Sequence, residues 1–127
     1  MGNVVTFATS EQSAIDTDQV QRLKRELGEK RWRTIVDGMI FEITDALCKI
    51  EVFAEKRAFA EMQVFLDRVR EISNQLGLVC LTDVAADLST AIAGDDQPAI
   101  LAITARLIRL SEDSLFSLIQ FTDRHIV

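Results

Sequence analysis

The sequence predicts an all-α protein, an antiparallel up-down-up-down four-helix bundle with a short N-terminal lid helix, and three observations carry that prediction. Apolar residues recur at steps of three and four along several long stretches, the spacing that gathers side chains on one face of a helix. The breaks between these stretches are short, so consecutive helices should fold back as neighbours. Composition agrees: of 127 residues 48% are hydrophobic, with five glycines, one proline and no tyrosine, while Ala, Leu, Ile, Glu and Arg are abundant. A chain of this length forms one domain with a single core.

Residues 1–16 are small and polar apart from Val4, Val5 and Phe7, with no helical period, and read as a flexible arm before a bundle domain over 17–127. Asp16, Thr17 or Asp18 can cap a short lid helix whose Val20, Leu23 and Leu27 share a face, with Gly28 at its end. The second helix runs from about Glu29 to Phe53, with Trp32, Ile35, Val36, Met39, Ile40, Ile43, Leu47 and Ile50 in register. Gly38 inside it marks a close helix contact. A joint around Ala54 to Lys56 leads to the most regular helix of the chain, within Arg57 to Leu78.

In that helix Phe59, Met62, Phe65, Leu66, Val69, Ile72 and Leu76 form the apolar face. Gln63, Asp67, Arg70, Glu71 and Asn74 fall on the opposite side, toward solvent. Gly77 closes the helix. A further helix, from Leu81 or Thr82 to Ala93, buries Leu81, Val84, Ala85, Leu88 and Ile92. Gly94-Asp95-Asp96 stops it and caps the last helix, about Gln97 to Phe121, with Pro98 tolerated in the first turn.

Several function classes are disfavoured. The net charge of −6 and the scatter of the basic residues argue against nucleic-acid binding. No apolar run approaches the roughly 18 residues of a membrane span, and the start lacks a signal-peptide pattern, so the cytoplasm is expected. Cys48 and Cys80 lack metal-ligand spacing and sit beside leucines, where buried structural thiols are common. No phosphate-binding loop, dinucleotide turn or paired metal motif is present, and no cofactor is expected. Ser111, Ser114 and Ser117 lack a histidine at catalytic spacing and read as surface or packing residues. His125, the only histidine, lies near the chain end and is a poor phosphoacceptor.

Leu66-Asp67-Arg68-Val69-Arg70-Glu71, running on to Leu76-Gly77-Leu78, resembles the signature helix of the histidine phosphotransfer (HPt) domains of bacterial two-component phosphorelays. That family reads His-x-x-Lys-Gly, five residues, then Gly. Counting back from Gly77 places Asp67 at the phosphoacceptor position, Arg70 at the basic position and Glu71 at the glycine position. The helix order matches over roughly residues 18 to 121. The resemblance implies a divergent member without the phosphoacceptor histidine, a phosphorelay protein whose partner is a response regulator receiver domain or a histidine kinase.

The chemistry of the substitutions limits the activity to binding. Imidazole has a pKa near 6.5 and a free nitrogen, which suit reversible phosphoryl transfer. A carboxylate needs a metal ion and an acidic pocket to do the same. Glu71 restores bulk and charge where the family has a glycine. The expected docking face is Gln63, Asp67, Arg70, Glu71 and Asn74, with contributions from the neighbouring second helix, and with Arg70 free to pair with Asp67 one turn away. No enzymatic activity is expected. The same charged residues also read as an ordinary solvated helix surface. Two other readings stay open: a structural or homodimeric bundle with Phe41, Phe53 and Phe121 at its seam, and an active relay protein using Asp67 or His125.

Overall fold

The repeating apolar period produces five helices in the computed structural model, which describes residues 15–124, with side chains described as far as 121. They are α1 (Thr17–Leu27), α2 (Glu29–Glu55), α3 (Phe59–Gln75), α4 (Val79–Ala93) and α5 (Gln97–Arg124). No strand occurs among the described residues. Residues 1–14 of the expected arm and His125 lie outside them. The arm's last two residues are engaged: Ile15 packs against the core, and Asp16 caps α1 by accepting from the Gln19 amide at 3.1 Å.

Each helix from α2 onward packs on its neighbour in the chain, and α5 packs back on α2. One core results. Trp32, Ile43 and Ile50 of α2, Met62, Leu66 and Ile72 of α3, Leu81 and Leu88 of α4, and Ile100 and Leu107 of α5 are all buried. Each such side chain contributes about 1.5–3 kcal/mol before chain entropy is subtracted. Ser111 and Ser114 of α5 are buried among them as packing residues.

The three joints of the α2–α5 chain share one geometry. Lys56-Arg57-Ala58, Leu76-Gly77-Leu78 and Gly94-Asp95-Asp96 each place the middle residue at positive φ, at 57° for Arg57, 72° for Gly77 and 51° for Asp95. In each, the amide of the third residue reaches back to a carbonyl of the final turn: Ala58 to Phe53 at 2.9 Å, Leu78 to Ser73 at 2.9 Å and Asp96 to Ala91 at 3.3 Å. This is the pattern that satisfies the last carbonyls of a helix while reversing the chain. Of these three middle residues only Gly77 is a glycine. A Cβ there would also stand 3.1 Å from the Asp16 carbonyl oxygen.

Several local expectations need correction. Helix α2 continues to Glu55, so the joint is 56–58, because the apolar period runs on through Ala54, which is buried. Gly94 has φ −84° and Asp95 takes the left-handed position instead. Gly38 faces open space, with nothing within 4 Å of a Cβ built on it, and marks no close contact. Cys48 is exposed and Cys80 half-buried, because residue 48 sits on the outer side of α2 although Leu47 points inward. Of the three phenylalanines assigned to a dimer seam only Phe41 is well exposed, at 74%. Phe53 and Phe121 pack against the core, and Phe53 stacks on Phe65 with ring centres 5.7 Å apart.

Candidate functional site

The alternation that buries Met62, Leu66, Val69 and Ile72 turns the intervening residues of α3 outward. Asp67, Arg70, Glu71 and Asn74 are exposed. With Thr82 of α4 they line an open cleft of about 390 Å³. Four of the five expected face residues are therefore brought together around one depression.

Gln63 departs from the expectation. It is half-buried rather than turned to solvent, because its amide is drawn into the seam with α4. Its Nε2 donates to Asp67 Oδ1 at 2.7 Å and to Ser89 Oγ at 3.1 Å. The Asp67 carboxylate is thus held from behind by a neutral donor, and the remaining carboxylate acceptor positions stay available to a partner.

The expected pairing of Arg70 with Asp67 does not form. Among the described residues Arg70 makes no ion pair, and the cation engaged on α3 is Arg68. Arg68 binds Glu42 of α2 and, at 3.1 Å, Glu71 on its own helix. The hydrogen bond to Glu42, aided by the charges of Glu42 and Glu71, holds the Arg68 guanidinium above its ordinary pKa. Glu71 is consequently spoken for, and Asp67 and Arg70 are the charges this face presents unpaired by an opposite charge.

Three residues complete the region that sequence reasoning did not assign. Arg68 was legible in principle, since it stands three residues before Glu71. Glu42 and Thr82 were not, because their proximity is created by helix packing. Thr82 Oγ1 lies 2.8 Å from Ser73 Oγ and donates to the Leu78 carbonyl at 3.0 Å. These bonds fix the first turn of α4 against the end of α3.

Helix α1 and its cap are tied to the end of α3. The Asp16 amide donates to the Gly77 carbonyl at 2.8 Å. Gln19 Nε2 donates to the carbonyls of Asn74 and Gln75 at 2.7 and 2.9 Å. The carbonyls of Asn74 and Gln75 thus find a donor in α1, which anchors the end of α3.

Among the described residues no group of three or more His, Cys, Asp or Glu side chains is placed to hold a metal ion, and no helix is long and apolar enough to cross a membrane. No family model matches the chain, and no curated protein or solved structure is similar to it at a significant level.

Proposed function

We propose that the chain is an HPt-like protein of two-component phosphorelay signalling that binds a response regulator receiver domain or a histidine kinase and carries no phosphate itself. The observation that carries this reading is the setting of Asp67. It is exposed on the outer face of α3, at the position that the sequence resemblance gives the phosphoacceptor, beside a cleft and oriented by Gln63. The hydrogen bond from Gln63, one turn earlier on the same helix, restricts the Asp67 carboxylate to one orientation.

The finer architecture belongs to the same proposal. Three-residue joints and the pairing of successive helices support an up-down-up-down order for α2 to α5. The bonds from Asp16 and Gln19 to the end of α3 support α1 as the lid.

Without an imidazole the face acts by binding alone. It would bias its partner by favouring the conformer it fits, since a ligand shifts a population by its differential affinity for the two states. The docking residues are Asp67, Arg70, Glu71 and Asn74, with Gln63 as the support for Asp67, and the site of action is the cytoplasm.

The test has two arms. Purified chain is presented to a panel of receiver domains and histidine kinases from its own source, and one of them is expected to bind and to lose affinity with Asp67→Ala. Binding to none overturns the proposal. In the second arm, Asp67→His with Glu71→Gly is incubated with a phosphorylated receiver that the chain binds. Transfer of label to the double variant, and none to the parent, is the expected result. Label on the parent chain would overturn the claim that it carries no phosphate.

A further inference from the structure

The outer side of α5 carries a stripe that neither the bundle nor the docking face uses. Ala102, Ala105, Arg109, Glu112, Phe116 and Ile119 follow one another at steps of three and four, and all six are exposed. Phe116 is 61% and Ile119 42% exposed. A step averaging 3.5 residues keeps a stripe in line along the helix, the spacing of a coiled-coil seam. It spans about 26 Å at 1.5 Å per residue.

The stripe is complementary to itself when reversed. Laid antiparallel on a second copy with a two-fold axis between Arg109 and Glu112, it places Arg109 against Glu112, Ala105 against Phe116 and Ala102 against Ile119, each pair occurring twice. Every large apolar side chain meets an alanine and every charge meets its opposite. That reciprocity is what an isologous interface requires. The side chains of Arg109 and Glu112 enter no hydrogen bond or ion pair among the described residues, so the pairing breaks none.

The space beside the stripe fits the same arrangement. The α2–α5 seam opens into a groove of about 620 Å³, where Ala54, Leu101, Ala105 and Ile108 alternate with charged and polar residues, Arg109, Glu51 and Glu55 among them. Ala105 and Arg109 belong to both the groove and the stripe. A phenyl ring arriving over Ala105 would lie beside Leu101 and Ile108 at the edge of this mixed groove.

The corresponding stripe on α2 lacks this property. Thr34, Gly38, Phe41, Asp45, Cys48 and Val52 are also exposed at steps of three and four. Reversed about its centre, however, it sets Phe41 against Asp45. An aromatic ring meeting a carboxylate desolvates the charge without replacing its hydrogen bonds.

We infer that a second copy of this chain docks on α5 through an antiparallel α5–α5 seam centred between Arg109 and Glu112. The docking face on α3 and α4 is left uncovered, so the dimer presents two such faces. The inference stands independently of what that face binds.

Sedimentation of the full chain over a concentration series reaching about 1 mM tests it. A monomer–dimer equilibrium is expected. Arg109→Glu and Glu112→Arg should each weaken the dimer by about ten-fold or more, because each creates two like-charge pairs. The double variant should regain most of the parental affinity by restoring both pairs in swapped order. Phe116→Asp should abolish the dimer, with circular dichroism unchanged because the side chain is exposed. A monomer throughout the series, a dimer indifferent to Phe116→Asp and Arg109→Glu, a dimer dissociated by Phe41→Asp alone, or no recovery in the double variant would each overturn the inference.

Discussion

The outward surfaces of α3 and α5 differ in how their side chains are satisfied. On α3, Asp67 accepts from Gln63, Arg68 bridges Glu42 and Glu71, and the Asn74 carbonyl accepts from Gln19. On α5 the exposed stripe is alanine, one charge pair and two large apolar residues. A partner of α3 must compete with bonds already made, and gains through geometry and charge. A partner of α5 gains by removing apolar surface from water, at about 25 cal/mol per Å². The first kind of surface favours selective, reversible docking, and the second favours a stable seam.

The comparison can be broken first on α3 itself, where inward and outward residues adjoin. Leu66→Ala removes a fully buried side chain and should cost about 2–5 kcal/mol in a urea melt. Asp67→Ala, one residue on and exposed, should stay within about 0.5 kcal/mol. Equal losses at the two positions would mean that Asp67 serves stability, and the docking face would lose its centre.

Two glycines extend the contrast between a residue held by its surroundings and one that is free. Gly77→Ala forces a side chain into positive φ and against Asp16, and should lower stability by about 1–2 kcal/mol. Gly38→Ala sits mid-helix with open space around it, and should raise stability by about 0.5–1 kcal/mol. Thermal melts of the pair should move in opposite directions. Movement in the same direction would refute either the turn geometry at Gly77 or the openness at Gly38.

The smaller effects sharpen the account of Gln63. Gln63→Ala removes two hydrogen bonds, to Asp67 and to Ser89, and should cost about 0.5–1.5 kcal/mol. The same change should weaken partner binding more than Gln75→Ala does, since Gln63 donates to the Asp67 carboxylate and, among the described residues, no hydrogen bond joins the Gln75 side chain to the docking residues. Equal binding by both variants would leave Gln63 as a helix-to-helix bond and nothing more.

Much of the fold was legible because it rests on local period. The stretch from Phe59 to Leu76 could be read as a helix with its inner face assigned, and Met62, Leu66, Val69, Ile72 and Leu76 are indeed buried. Asp16 as the cap of α1 and Asp96 at the start of α5, which accepts from the Ala99 amide at 3.2 Å, follow from the same local chemistry. Cys48 was misread for a reason of the same kind. A leucine beside a residue says little about that residue, since successive positions on a helix are turned by about 100°.

The candidate site was legible only as a row of outward residues. That Asp67, Arg70, Glu71 and Asn74 share a side of α3 follows from their spacing. That Gln63 turns inward to Ser89, that Glu42 claims Arg68, and that Thr82 forms a wall of the cleft required α2, α3 and α4 to be packed together.

By itself the sequence determined the number and kind of the elements, most of the buried face of each and, to within two or three residues, their ends. Apolar period, capping residues and turn-forming residues act over a few positions and need no partner. Only the tertiary structure decided which polar side chains are satisfied across a seam and which are left for another molecule. A hydrogen bond or ion pair between helices depends on their relative register, and register is set by the whole core at once.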